Sequence, residues 1–282
     1  MKRIYLNLKR FDIPKAFGGV NSLAPMKDWA EVIVKSTQEA LKAYDAEAVR
    51  FEMFFPEAHL LGAINALSDE GNLTIGCQSV FREDTAIGGN FGAFTSNRTA
   101  NAVKAMGCGS TLIGHCEERR DKLGILMEAG VKDTDAVNRL LNKEIQCAIK
   151  AGLRVLYCIG ETSEERPEWQ NTLRKQLEIG LEGVDTAGVT IAYEPVWAIG
   201  PGKTPPDRET IAQVGQFVKE VTGGLSLVYG GGLKKDNAGM LASIPQIDGG
   251  LIALTRFNGD IGFYPDEYLE IIKTYMEPQS NE

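Results

Sequence analysis

The chain alternates short runs dense in apolar and β-branched residues with longer stretches whose apolar positions recur every three or four residues. The first kind predicts strands over residues 3–8 (R-I-Y-L-N-L), 48–54, 73–77, 110–114, 153–158, 189–194, 225–229 and 248–253. The second predicts helices carrying Trp29, Val32, Ile33, Ala40 and Leu41; Val137, Leu140, Leu141, Ile145, Ala148 and Ile149; and Ile211, Val214, Phe217, Val218 and Val221. Gly152 stands where the second of these helices would end, and Pro167 and Pro265 where first helical turns would begin. Apolar strands alternating with amphipathic helices are the pattern of βαβ units, whose parallel strands are covered on both faces. Eight such units without an inserted domain fit an α/β fold of the closed (β/α)8-barrel type, as one domain over 1–282. No G-x-G-x-x-G follows the first strand, which argues against a doubly wound dinucleotide-binding sheet.

Two stretches, 10–28 and 119–134, read as long loops after strands 1 and 4. In a barrel both lie on the face where active sites are built. Composition narrows the partners. Of 282 residues, 43% are apolar and 24% charged, and the net charge of −8 provides no diffuse basic field for nucleic acid or a membrane surface. An anionic ligand would therefore need a local device, such as a helix N-terminus or one placed cation. The five cysteines are odd in number and lack C-x-x-C spacing, so they read as free thiols in a reducing compartment, with no zinc site. The opening M-K-R-I-Y-L-N-L-K-R has charges where a leader would be apolar, and no run approaches a membrane span. A cytoplasmic location is expected.

Polar residues at the strand C-termini would converge at the barrel mouth: Asn7 and Lys9 after strand 1, Gln78 after strand 3, His115 and Glu117 after strand 4, Glu194 ending strand 6. Glu194 lies between I-A-Y and Pro195. Partial burial would raise its pKa and suit it to be a base near neutral pH, although a carboxylate there could equally accept loop amides. The following V-W-A-I-G-P-G-K, with Gly200 and Gly202, reads as a lid with small hinge positions. A base under a lid suits carbanion chemistry, which requires water to be excluded. His59, in P-E-A-H-L-L, reads as structural. His115 opens a helix, where the positive end of the dipole favours a neutral imidazole able to donate to a carbonyl. Lys9 could balance enolate or phosphate charge or be a plain surface lysine. Gly230, Gly231 and Gly232 could let amides approach an anion or simply form a tight turn.

These residues resemble the triosephosphate isomerase family along nearly the whole chain. Y-E-P-V-W-A-I-G-P-G-K-T (193–204) is the specific part; N-x-K, G-H-x-E, C-I-G-E (158–161) and Y-G-G are short but occur in the family's order. The resemblance implies a TIM-barrel aldose–ketose isomerase that uses neither a metal nor an organic cofactor on a small phosphorylated sugar. It implies Glu194 as base, neutral His115 as electrophile, Lys9 as the positive charge, and Asn7 and Glu117 in support. The carboxylate–neutral imidazole pairing is already known for this family rather than derived from this sequence. Trp197, Gly200, Lys203 and Tyr229 would belong to the lid and its latch, and Glu161 to the open lid's surroundings. Gly231, Gly232, Ala253 and Leu254 would face the phosphate.

Departures from the family pattern fall into two groups. G-H-S-E-R-R reads G-H-C-E-E-R, with Cys116 and Glu118 in new roles, and the third loop reads G-A-F-T-S-N-R at 92–98. In relatives an acid of that loop meets the first arginine of the motif across a dimer interface. A homodimer through the loop around Thr95 is expected here, with Arg98 and Glu118 as a pair of reversed polarity in place of Asn97. The second group concerns phosphate. Y-G-G-S has become Y-G-G-G, and Ala253 and Leu254 stand where two glycines cradle the phosphate. Leu254 cannot readily adopt a positive φ, and Arg256 is either a replacement phosphate ligand or an ion-paired surface residue. Three readings stay open: triosephosphate isomerase, an isomerase of another short sugar phosphate such as a tetrulose phosphate, and a barrel without catalysis.

Overall fold

In a computed structural model that describes residues 1–68, 71–200 and 203–277, eight parallel strands close on themselves in sequence order. They are β1 (Lys2–Asn7), β2 (Val49–Phe55), β3 (Leu73–Gln78), β4 (Ser110–Ile113), β5 (Arg154–Ile159), β6 (Val189–Tyr193), β7 (Leu227–Tyr229) and β8 (Gly249–Ile252). The seam joins β1 to β8 with Arg3 opposite Gly249 and Leu6 opposite Ile252. Around the barrel run α1 (Trp29–Leu41), α2 (Leu60–Ala66), α3 (Ala100–Met106), α4 (Cys116–Glu128), α5 (Thr134–Lys150), α6 (Trp169–Gly180), α7 (Arg208–Thr222), α8 (Lys235–Ala242) and α9 (Pro265–Met276). Among the described residues no helix is long and apolar enough to cross a membrane.

Strand alternation divides the core in two. On β5, Val155, Tyr157 and Ile159 belong to the layer between sheet and helices, while Leu156 and Cys158 point into the barrel. The interior is a packed plug of Tyr5, Phe54, Leu112, Leu156, Cys158, Ala192, Val228 and Leu251, with Tyr5 and Phe54 stacked at 5.8 Å. Truncating Phe54 to alanine in such a plug would cost about 3–5 kcal/mol. Below it, buried Glu52 of β2 meets Arg154 of β5 at 3.0 Å, and Arg154 also donates to Thr74 Oγ1 at 3.0 Å. The lower end of the barrel is thus closed by a polar network, with Ser110 Oγ beside it left without a hydrogen-bond partner among the described residues.

One expectation about loops is revised. Residues 119–128, expected to belong to a long loop, instead continue the helix that opens after His115, α4. The sequence C-E-E-R-R-D-K-L-G-I-L-M-E has no apolar stripe, Ile125 and Met127 are exposed, and the periodicity that marks a packed helix is missing. The first loop is ordered by a buried charge network: His59 Nε2 and Arg10 both meet Asp12, at 3.0 Å and 2.9 Å, and the His59 ring packs on Trp29. This gives His59 a place in the fold far from β4 and β6.

Candidate active site

Glu194 follows the last residue of β6, and His115 caps the N-terminus of α4. The Glu194 carboxylate is buried; Oε2 accepts the Cys116 amide at 2.9 Å, and Oε1 lies 3.0 Å from His115 Nε2. His115 Nδ1 accepts the Glu117 amide at 3.2 Å. A nitrogen that accepts an N–H carries no proton, so the imidazole is neutral with its proton on Nε2, directed at Glu194. Burial raises the Glu194 pKa, outweighing the opposing pull of His115, the Cys116 amide, Lys9 and Arg119. The carboxylate fits only because Gly230 approaches it: a Cβ there would lie 2.9 Å from Glu194 Cγ.

Lys9 completes the group from β1. Its Nζ meets Glu117 Oε1 at 2.9 Å, and burial of Glu117 is outweighed by that contact, so its pKa is lowered. Lys9 has φ 40°, a left-handed conformation rarely adopted outside glycine. Two side chains hold it there. Asn7 Oδ1 accepts the Lys9 amide at 3.0 Å, and Gln78 Nε2 donates to Asn7 Oδ1 at 3.2 Å and to the Lys9 carbonyl at 3.1 Å. The ammonium is thereby aimed by backbone strain that neighbours over-determine.

Beneath the lid, buried Glu161 Oε1 accepts from Tyr193 Oη at 3.0 Å, Trp197 Nε1 at 2.9 Å and Arg166 at 2.8 Å, and the Arg166 guanidinium covers the Trp197 ring. Burial raises the Glu161 pKa despite these donors. Trp197, at the start of the expected lid, is therefore tied to Glu161, and Glu194 is held on His115 and Cys116. Gly200 has φ 121°, which suits a hinge, and the Lys203 amide donates to the Gly200 carbonyl at 3.3 Å. The expected hinge glycine Gly202 lies outside the described residues. Tyr229 is buried at the end of β7.

The opposite side of the mouth is built differently. Gly232 has φ 99°, and among the described residues the amides of Gly231 and Gly232 donate to no acceptor. Asn237 fixes this turn, donating to the Gly232 carbonyl at 2.9 Å and accepting the Lys234 amide at 2.8 Å. After β8, Ala253 and Leu254 are half-buried, and Leu254 does not take a positive φ. The chain then folds back as a hairpin in which Arg256 pairs with Gly262. Arg256 is the ion-paired residue of the two alternatives: Nε meets Glu267 at 2.8 Å and the guanidinium stacks on Tyr264. This side of the mouth does have a cation, Lys234, whose Nζ sits 4.0 Å from the centre of the Phe257 ring of the hairpin. A Cβ on Gly232 would lie 3.5 Å from Lys234 Cε, so the ammonium flanks the glycine turn.

The structure thus brings Asn7, Lys9, His115, Glu117 and Glu194 together, with Gly231 and Gly232 across the mouth. It does not pair Arg98 with Glu118 within the chain. Arg98 donates to the Gln78 and Ser79 carbonyls and faces Glu57 at 3.5 Å, whereas Glu118 accepts from the Gly114 amide and Ser79 and meets Lys122 at 3.1 Å. Both side chains bond to Ser79, Arg98 to its carbonyl and Glu118 to its hydroxyl, and among the described residues no ion pair joins them within the chain. Sequence reasoning gave Gln78 no role and passed over two residues. Arg119, one turn after His115, donates to the carbonyls of Gly114 and Cys158 and to Asn138 and Tyr157, clamping the ends of β4 and β5. Lys234, in G-L-K-K-D, reads as an ordinary surface lysine until the hairpin is seen beside it.

With this geometry established, the comparisons can be set beside it. The family model described as triosephosphate isomerase matches residues 26–274. A triosephosphate isomerase of Geobacter metallireducens is 36% identical over 234 residues, 78% of this chain and 84% of that one. One from Alkalilimnicola ehrlichii is 32% identical over 253 residues, covering 85% and 91%. Among solved structures, the triosephosphate isomerase of Bartonella henselae superposes with a TM-score of 0.71 over 98% of this chain and 99% of that one. At 24% identity this likeness speaks to the fold.

Proposed function

The chain belongs to the triosephosphate isomerase family, and from that premise we propose that it interconverts dihydroxyacetone phosphate and glyceraldehyde 3-phosphate. The observation that carries the reading is the buried Glu194, whose Oε1 lies 3.0 Å from Nε2 of a neutral His115. On lid closure Glu194 leaves this parking position and removes a proton from the carbon next to the carbonyl. The Nε2–H turns to the substrate oxygen, and the Lys9 ammonium balances the enediolate charge. Protonated Glu194 returns its proton to the neighbouring carbon, while His115 gives its Nε2 proton to the former carbonyl oxygen and takes back the hydroxyl proton of the adjacent carbon, so no atom is gained or lost. Gly231 and Gly232 amides, with Lys234 beside them, hold the phosphate.

The changed segment after β8 is the observation that keeps a longer sugar phosphate in view; the relatives' shared name favours the triose. Purified protein offered triose phosphates and a panel of C4 and C5 sugar phosphates separates the two. Turnover of the triose far above the rest is expected; a C4 substrate in first place would overturn the reading, and no turnover of any would favour a barrel without catalysis. A homodimer in the cytoplasm accompanies this proposal. Loop 81–98 supports it, exposing Ile87 and Phe91 almost completely around a Phe81–Phe94 contact. Phe91→Asp should shift the protein to monomer in light scattering.

A further inference from the structure

The turn that carries the acid–base pair also carries a thiol for which the proposed reaction has no use. We propose that His115, Cys116 and Glu194 form a capture site for a thiophilic divalent cation such as Zn2+ or Cd2+. An ion bound there inhibits the enzyme by holding the base on the metal and away from the substrate. One ligand atom from each residue lies within 4.8 Å of the other two. The Cys116 sulfur is 3.7 Å from His115 Nδ1, whereas a tetrahedral centre with Zn–S of about 2.3 Å and Zn–N of about 2.0 Å spans about 3.5 Å between those ligands. Nδ1 is the ring nitrogen with the lone pair, because the proton is on Nε2. An ion would replace the Glu117 amide on it. The Glu194 carboxylate lies over the same turn on the Cys116 amide but faces the Nε2 edge of the ring, so it joins the ion by swinging one oxygen off Nε2, and Glu117 Oε2, 3.7 Å from Nδ1, can take the fourth position.

Three further points favour this ligand class. A thiolate and a carboxylate neutralise a divalent charge, which a mostly buried site requires. Sulfur with imidazole selects zinc-like ions over Mg2+ or Ca2+. Cys116 also lines a cavity of about 390 Å3 between α4, α5 and α6, which gives an ion a route to the sulfur. On binding, the S–H bond breaks, an S–metal bond forms and the proton leaves to solvent. A serine, the family's usual residue at this position, would offer only a weak hydroxyl ligand.

Binding stands on geometry alone, and only its effect on turnover rests on the isomerase reading. The test is a Cd2+ titration of metal-free protein followed by thiolate-to-metal absorption in the ultraviolet, beside Zn2+ inhibition of turnover. One saturating band per chain is expected, absent in both Cys116→Ser and Cys116→Ala, with thermal melting to confirm that each variant folds. Loss of a ligand should raise the half-inhibiting Zn2+ concentration by at least about 10-fold relative to each variant's own metal-free rate, since loss of an outer partner already costs that much. Mg2+ should do nothing, and chelation should restore the rate. His115→Gln should weaken Cd2+ binding with the thiol intact, which separates a three-ligand site from a lone cysteine. The proposal fails if Cys116→Ser keeps the band or the sensitivity, or if His115→Gln binds Cd2+ as tightly as the parent. A parent that binds Cd2+ but turns over no substrate would instead count against the isomerase reading.

Discussion

The two sides of the barrel mouth differ in how their chemistry is secured. On the side of β1, β4 and β6 every functional atom has a named partner: Glu194 on His115 and the Cys116 amide, Lys9 on Glu117, and Asn7 under Gln78. On the side of β7 and β8, the positive φ at Gly232 is kept, but Leu254 does not adopt one and Arg256 is paired to Glu267. Proton transfer depends on placement within a few tenths of an ångström, so each group must be buttressed. Anion binding tolerates substitution, because backbone amides or a flexible ammonium can supply the same charge.

This contrast can be broken experimentally. Glu194→Asp withdraws the base by one methylene and should lower kcat by about 10²–10⁴-fold with little change in KM, read by steady-state kinetics. Lys234→Gln should act the other way: KM and the inhibition constant of inorganic phosphate rise about 10-fold, because a hydrogen bond to a charged group contributes about 1.5–3 kcal/mol, while kcat holds. If Lys234→Gln lowered kcat as much as Glu194→Asp, the two sides would not be separable.

The pH dependence sharpens the comparison. Because burial raises Glu194 and the base must be ionised, kcat/KM should fall as pH drops through a value above the ordinary carboxylate range of about 4.3. The same shift has a stability consequence of opposite sense. A carboxyl raised on folding adds stability that is full below its unfolded value and is lost as pH rises through the folded one. Glu194→Gln should therefore melt higher than the parent at neutral pH and level with it near pH ~3, below the unfolded value. Equal melting at both pH values would mean that burial does not penalise the charged base.

Much of this was legible in the sequence, for identifiable reasons. The strands emerged within about two residues of their observed bounds because parallel strands buried on both faces are near-continuous apolar runs. Glu194, His115 and Lys9 were legible because polar residues directly after such runs must stand at the barrel rim. The start of α4 at His115 was legible but its continuation was not, since a helix packed by Leu123 and Leu126 alone has no apolar stripe. Arg119 and Gln78 were not assigned roles because their partners lie dozens of residues away.

The sequence by itself determined the periodicities, and through them eight strands, their parallel pairing and the set of residues at the mouth. Only the tertiary structure decided which partners those residues take: the proton on Nε2 of His115, the strained turn of Lys9, Arg256 bound to Glu267, and Lys234 over Phe257. The physical reason is range. Burial patterns are set locally by side-chain period, whereas a hydrogen bond or ion pair depends on ångström distances between segments that meet only when the barrel closes.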